Sequence, residues 1–146
     1  MRFKPFAMER YQSIWEHQVA WNVSESGVEP LRLDELALTE SDRHTLMRQP
    51  LAYTQTNGTV ELRGLIAAMY PGATAAHIEV TNGGSEANFV SLAHLIQPGD
   101  DVVVMTPNYM QAPGLLEALG ATIVPWPLRV DAAGTRWAPD VTALGS

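Results

Sequence analysis

Apolar residues recur at helical intervals in three stretches of the chain, and between them lie short runs that are apolar without that period. Residues 5–19 carry Tyr11, Ile14, Trp15 and Val19 on one helical face, with Glu9, Arg10, Glu16 and His17 left for water, which predicts an amphipathic helix. Residues 21–30 have no period and end in turn formers, as expected of an extended arm with an exposed loop. Residues 33–38 are too short to type. Thr39 followed by Asp42 has the spacing of a capping box and predicts a short helix through Met47, ended by Pro50. After a polar loop, Thr59 is placed to cap a helix through Tyr70, with Leu62, Leu65, Ile66 and Met69 in one stripe and Pro71-Gly72 as its stop.

The second half alternates short strands and helices. A strand is expected at residues 77–80, then a glycine turn, then a helix with Phe89, Leu92, Ala93 and Ile96 on one face, closed by Pro98-Gly99. Residues 102–105, Val-Val-Val-Met, read as a strand covered on both faces. A loop of Thr106-Pro107-Asn108-Tyr109 leads to a helix over about 113–119, stopped by Gly120, and Thr122-Ile123-Val124 is the next strand. Beyond it, residues 131–134 read as a turn and 138–142 as the entry to another helix. The order βαβαβ predicts an α/β fold with a mostly parallel sheet covered by helices, and ligands at the C-terminal ends of its strands.

Two loops lie at such ends, and the first is Thr81-Asn82-Gly83-Gly84-Ser85-Glu86-Ala87. Adjacent glycines let the backbone turn sharply and approach a ligand, and Ser85 can cap the following helix and offer a hydroxyl. The first amides of that helix have no intrahelical acceptor and sit at the positive end of its dipole, so the turn suits a dianionic phosphate. A plain helix cap with nothing bound fits the same seven residues.

Composition narrows the partners. A formal net charge of -7 with nine Lys and Arg residues gives no basic face for nucleic acid or an anionic membrane, so a phosphate would have to be held by local backbone geometry. No cysteine is present, which removes disulfides, thiolate nucleophiles and Cys-ligated metals and makes an intracellular, cytoplasmic setting the expectation. No signal-peptide or membrane-spanning pattern occurs. His17, His44, His77 and His94 share no ligand spacing, and no metal is expected.

Taken in order, these motifs resemble the class I/II aminotransferases, fold-type I enzymes dependent on pyridoxal 5'-phosphate. Ser24-Glu25-Ser26-Gly27-Val28 is similar to the substrate-side arm of that family, and Tyr53 and Gly58 ahead of Glu61-Leu62-Arg63 to the segment before its first large-domain strand. Val80 to Ala87 is similar to its phosphate loop. Pro98-Gly99-Asp100-Asp101-Val102 with Pro107-Asn108-Tyr109 is similar to its "PGD-V...P-Y" signature, and Leu119-Gly120-Ala121 to the end of the next helix. The resemblance implies that Gly83, Gly84 and Ser85 hold the cofactor phosphate and that Tyr109 stacks on the pyridine ring. It further implies that Tyr53 reaches the cofactor phosphate of the partner subunit in a homodimer, and that Gly27 lies against the substrate carboxylate. Amino acid and 2-oxo acid substrates follow from the same likeness.

The resemblance also implies residues that the motifs do not supply. The family moves protons with a lysine that also holds the cofactor aldehyde. The sequence has one lysine, Lys4, which stands in no motif and reads as a solvated surface residue. No catalytic residue is therefore assigned. The division expected is an N-terminal arm with short helices over residues 1–48 and the first part of the cofactor-binding large domain over 49–146, incomplete at its C-terminus. Such a piece would expose sheet edges and apolar faces, and calls for a missing C-terminal part of the same protein or a complementing chain. The competing function is a non-catalytic βαβ module holding some other phosphorylated ligand, or a structural fragment that needs a partner.

Overall fold

A computed structural model of the protein describes residues 3–24, 27–36 and 38–145. They form two compact units, Trp15–Val80 and the combination of Met1–Ile14 with Thr81–Ser146. Among the described residues no helix is long and apolar enough to cross a membrane.

In the chain's order, α1 spans Ala7–Trp15, shorter than its apolar spacing predicts. The polar Glu16-His17-Gln18 closes it in a turn, in which the amides of Gln18 and Val19 both donate to Trp15 O. Residues 33–38 contain a single 3-10 turn, Leu33–Glu35. Helix α2, Glu40–Met47, begins at the expected capping box: Thr39 Oγ1 accepts from Asp42 N at 3.1 Å and the Asp42 carboxylate accepts from Thr39 N at 2.9 Å. Helix α3, Val60–Ala67, is capped by Thr59, whose hydroxyl accepts from Leu62 N at 3.2 Å. The apolar stripe of α3 is exposed at Leu62, Leu65 and Met69 and half-buried at Ile66; Ala67 is the residue this helix buries. Arg63 binds the unit together, since its Nε donates to Gly58 O at 3.1 Å and its Nη1 to Ala75 O at 2.7 Å.

The strand expected at residues 77–80 takes another form. Ala75–His77 is a 3-10 turn, and residues 78–80 run on without a sheet partner, held by Val80 N donating to Asn57 O at 3.1 Å. A strand in a parallel sheet exists through its neighbours. None of the described strands pairs with this segment.

In the second unit, α4 spans Gly84–Leu95, β1 Asp101–Thr106, α5 Gln111–Leu119, β2 Thr122–Val130 and β3 Trp137–Pro139. The sheet order is β1-β2-β3, with β1 and β2 parallel (Asp101 opposite Thr122, Thr106 opposite Pro127) and β3 antiparallel on β2. Val104 of β1 and Leu115 and Leu116 of α5 are its buried core. The Gly120 carbonyl at the end of α5 accepts from Gly99 N at 2.9 Å, which joins the turn before β1 to the start of β2. Strand β2 runs well past the three residues expected of it, through Pro125 and Pro127. Thr122 N donates to Asp100 O and Asp131 N to Arg136 O, so even-numbered amides of β2 face β1 and odd-numbered ones face away from it. Both prolines are odd, so their missing N–H groups fall on the side away from β1 and ahead of Leu128–Val130, the stretch that pairs with β3, where no ladder bond is lost.

Residues 138–142 open no α-helix. They finish β3 and enter a 3-10 turn, Val141–Gly145, because the Asp140 carboxylate accepts from both the amide (3.1 Å) and the hydroxyl (2.6 Å) of Thr142 and draws the chain into a tighter turn. Trp126 Nε1 donates to Asp140 O at 2.7 Å and fixes that turn to β2. The opposite face of the sheet stays exposed at Val103, Met105 and Val124.

Candidate functional site

The glycine turn is built by its own polar groups. Thr81 Oγ1 donates to Gly83 O at 3.0 Å, Gly83 N donates to Thr81 O at 2.9 Å, and Asn82 N donates to the Glu86 carboxylate. Gly83 has φ 84° and ψ 172°, a conformation that a side chain would strain, and it is the N-cap of α4. Ser85 was the cap expected from the sequence; the helix instead starts one residue before it, so its hydroxyl stands in the first turn. The Gly83 cap has no side chain to bond the first helical amides, and the one carboxylate in the first turn, Glu86, is engaged by Asn82 N. The first intrahelical bond of α4 runs from Ala87 N to Gly83 O at 3.3 Å, so the amides of Gly84 and Ser85 precede the helical ladder.

Space over that end is open. Apart from the adjoining residues and the helix's own backbone, a Cβ added at Gly83 or Gly84 would meet no atom within 4 Å, so no other part of the chain crowds the two glycines. Two successive amides, a hydroxyl and the positive end of a helix dipole around an open volume fit a phosphate group.

Tyr109 lies in the loop after β1, half exposed, its amide donating to Asn108 Oδ1 at 2.7 Å. Its ring leans on Phe6, with centroids 5.8 Å apart and planes at 59°. The loop is fastened to the cradle by Gln111, whose Nε2 donates to Ser85 O at 2.9 Å and whose Oε1 accepts from Asn88 Nδ2 at 2.9 Å. Gly83, Gly84, Ser85 and Tyr109 are thus brought into one unit and tied by one side chain. Tyr53 and Gly27, both exposed, belong to the other unit. Glu25 and Ser26 of the expected arm lie outside the described residues.

Gln111 and Phe6 escaped the reading of the sequence. Gln111 meets partners 26 and 23 residues away, so no local spacing could reveal it. Lys4 is exposed as expected, yet paired, its Nζ 2.7 Å from Glu117 Oε2 on α5. His77 accepts from Thr74 N at its Nδ1, 3.0 Å, in the turn Ala75–His77. Among the described residues no group of His, Asp or Glu could hold a metal ion.

Comparison with known proteins bears on the family and the fold. The family model "Aminotransferase class I and II" matches residues 16–145. Capreomycidine synthase of Streptomyces vinaceus is 35% identical over 130 residues, which is 87% of this chain and 33% of that protein. A PLP-dependent aminotransferase from Streptococcus suis 89-1591 superposes with a TM-score of 0.87 at 26% identity, over 99% of this chain and 39% of its own. The PLP-dependent cyclase OrfR superposes at 0.77 with 27% identity, over 90% of this chain and 35% of its own. The chain therefore spans between a third and two fifths of the length of these relatives. It belongs to the class I and II aminotransferase family, with the fold of the pyridoxal 5'-phosphate-dependent enzymes of fold type I.

Proposed function

We propose that the chain supplies the cofactor phosphate loop and the ring-stacking residue of a pyridoxal 5'-phosphate-dependent aminotransferase, which passes an amino group between an amino acid and a 2-oxo acid. The observation that carries this reading is the glycine-capped start of α4 at Gly83-Gly84-Ser85, whose cap makes no side-chain bond to the helix, joined through Gln111 to the loop of Tyr109. When bound, the cofactor supplies an aldehyde that takes up amino groups and an electron-poor ring that draws electron density from the substrate's α-carbon.

The protein's part is to bind and orient. The Gly84 and Ser85 amides and the Ser85 hydroxyl donate to the phosphate, and Gly83 gives the turn that aims them. Tyr109 offers a flat face to the ring. Tyr53, exposed in its own unit, reaches the cofactor phosphate of the partner subunit in a homodimer, and Gly27 admits the substrate carboxylate. In this reading residues 1–48 are the arm and 49–146 the first part of the cofactor domain. Nothing in the chain moves the proton: Lys4 is exposed and paired with Glu117, so a lysine outside these 146 residues has that task, in a further part of the same protein or a complementing chain.

The relatives favour a second reading with the same cofactor. The 35%-identical protein is a synthase and one structural neighbour is a cyclase, so in this second reading the bound group serves ring closure with no amino transfer. The protein expressed from its whole reading frame decides, when supplied with pyridoxal 5'-phosphate and a panel of amino acids: formation of a 2-oxo acid supports the transferase, and consumption without one supports the cyclase. The 146-residue chain alone should show no turnover. Turnover by that chain that survives Lys4→Ala overturns the assignment of roles.

A further inference from the structure

We propose that Gln111 is a positioning residue that holds the Tyr109 ring at a fixed offset from the phosphate cradle; this rests on the cofactor reading above. Its side chain is the first of α5, two residues beyond Tyr109, and its amide spans to the first turn of α4 through two hydrogen bonds of 2.9 Å each. The carbonyl of Ser85 can only accept, so the Nε2 end must face it, and Oε1 is left to accept from Asn88. Ser85 and Asn88 stand three apart on α4 and so share a face. One planar group therefore grips the helix turn that carries the cradle.

The loop needs that grip. Met110, the N-cap of α5, forms no side-chain hydrogen bond to the helix, so the start of α5 has no cap of its own. The Tyr109 ring also meets the tilted ring of Phe6, which comes from the N-terminal segment and not from α4. A cofactor with phosphate at one end and ring at the other is bound best when the two contact points are at its own spacing, because misplacement loses one contact to keep the other. Only a side chain with a donor and an acceptor at the reach of glutamine satisfies both partners. A glutamate would set a carboxylate oxygen against the Ser85 carbonyl, and a methionine would make neither bond.

The test is a double-mutant cycle on pyridoxal 5'-phosphate affinity, in the protein expressed from its whole reading frame, with Gln111→Met, Tyr109→Ala and the pair. Gln111→Met should weaken the cofactor about two- to tenfold and reduce the circular dichroism of the cofactor band at saturation. In the Tyr109→Ala background the same change should have an effect below twofold, because the ring it positions is gone. An undiminished effect there means that Gln111 is a structural residue and overturns the proposal, as does an affinity unchanged in Gln111→Met. Should Gln111→Met not fold, Asn88→Ala removes one of the two bonds and is put through the same cycle, with the same outcomes deciding. A wild-type protein that does not take up the cofactor overturns the cofactor reading itself, and with it this inference; a wild type that binds while the cycle is additive overturns this inference alone.

Discussion

Gly84→Ala should move stability and cofactor affinity in opposite directions. The backbone of Gly84 is helical, the first residue of α4, and an added Cβ meets nothing within 4 Å beyond its chain neighbours and the helix's own backbone. Glycine in a helix interior is about 0.8–1.0 kcal/mol less favourable than alanine. At the first position only part of that is gained, so the apoprotein should be stabilised by about 0.5 kcal/mol, a small rise in its unfolding midpoint. The new methyl occupies the space over the Gly84 and Ser85 amides. Charge-assisted hydrogen bonds contribute about 1.5–3 kcal/mol each, so pushing a phosphate off one of them should weaken pyridoxal 5'-phosphate about tenfold to a hundredfold. The assay pairs thermal unfolding of the apoprotein with a fluorescence titration of the cofactor. Gly84→Val, with a branch at Cβ, should bind more weakly still and lose the stability gain. If Gly84→Ala leaves affinity within twofold while raising stability, the turn is an ordinary helix cap and the cradle reading is wrong.

Other outcomes follow from the same geometry. Tyr109→Ala should lower cofactor affinity about two- to tenfold, the loss of a stacking contact of about 0.5–1.5 kcal/mol, while Tyr109→Phe changes little; equal damage from both would place the effect in the hydroxyl. Gly58 has φ 89°, and a Cβ there would lie 2.6 Å from Val80 Cγ2, whereas Gly72 at φ 78° has no neighbour within 4 Å. Gly58→Ala should therefore cost the backbone strain of about 1–2 kcal/mol plus about 1–3 kcal/mol of overlap, and Gly72→Ala the strain alone; equal losses in urea unfolding would refute the contact. The hydroxyl and then the amide of Thr39, both donating to Asp42, hold its carboxyl below the ordinary carboxylate value. A pKa depressed in the fold contributes stability above the unfolded value and loses it as pH falls through the folded one. Helicity of α2 should thus decline in acid below about pH 4, and an unchanged decline in Asp42→Asn would contradict the box as its cause.

What the sequence made legible is what local rules govern. The Thr39 and Thr59 caps, the unbroken apolar run of β1 and the stop at Gly120 need only neighbours within a few residues, and each stands where the spacing puts it. The family and its fold were readable from motifs in order, and the family match confirms them. Residues 78–80 were misread as a paired strand because pairing is a property of the neighbours, which no local run specifies. The length of β2 was hidden by Pro125 and Pro127, which read as strand breakers unless it is known that their side of β2 is unpaired before Leu128. Gln111 was hidden for the same reason in another form, since its partners come from a different helix. The apolar stripes of α1 and α3 and the sheet face at Val103, Met105 and Val124 are exposed, which no local periodicity could announce.

The most direct measurement is a crystal structure of the protein from its whole reading frame, grown with pyridoxal 5'-phosphate. The expected result has the cofactor phosphate within hydrogen-bond reach of the Gly84 and Ser85 amides and the pyridine ring against the face of Tyr109. A cofactor whose phosphate lies on any other element, with the start of α4 left to solvent, contradicts it.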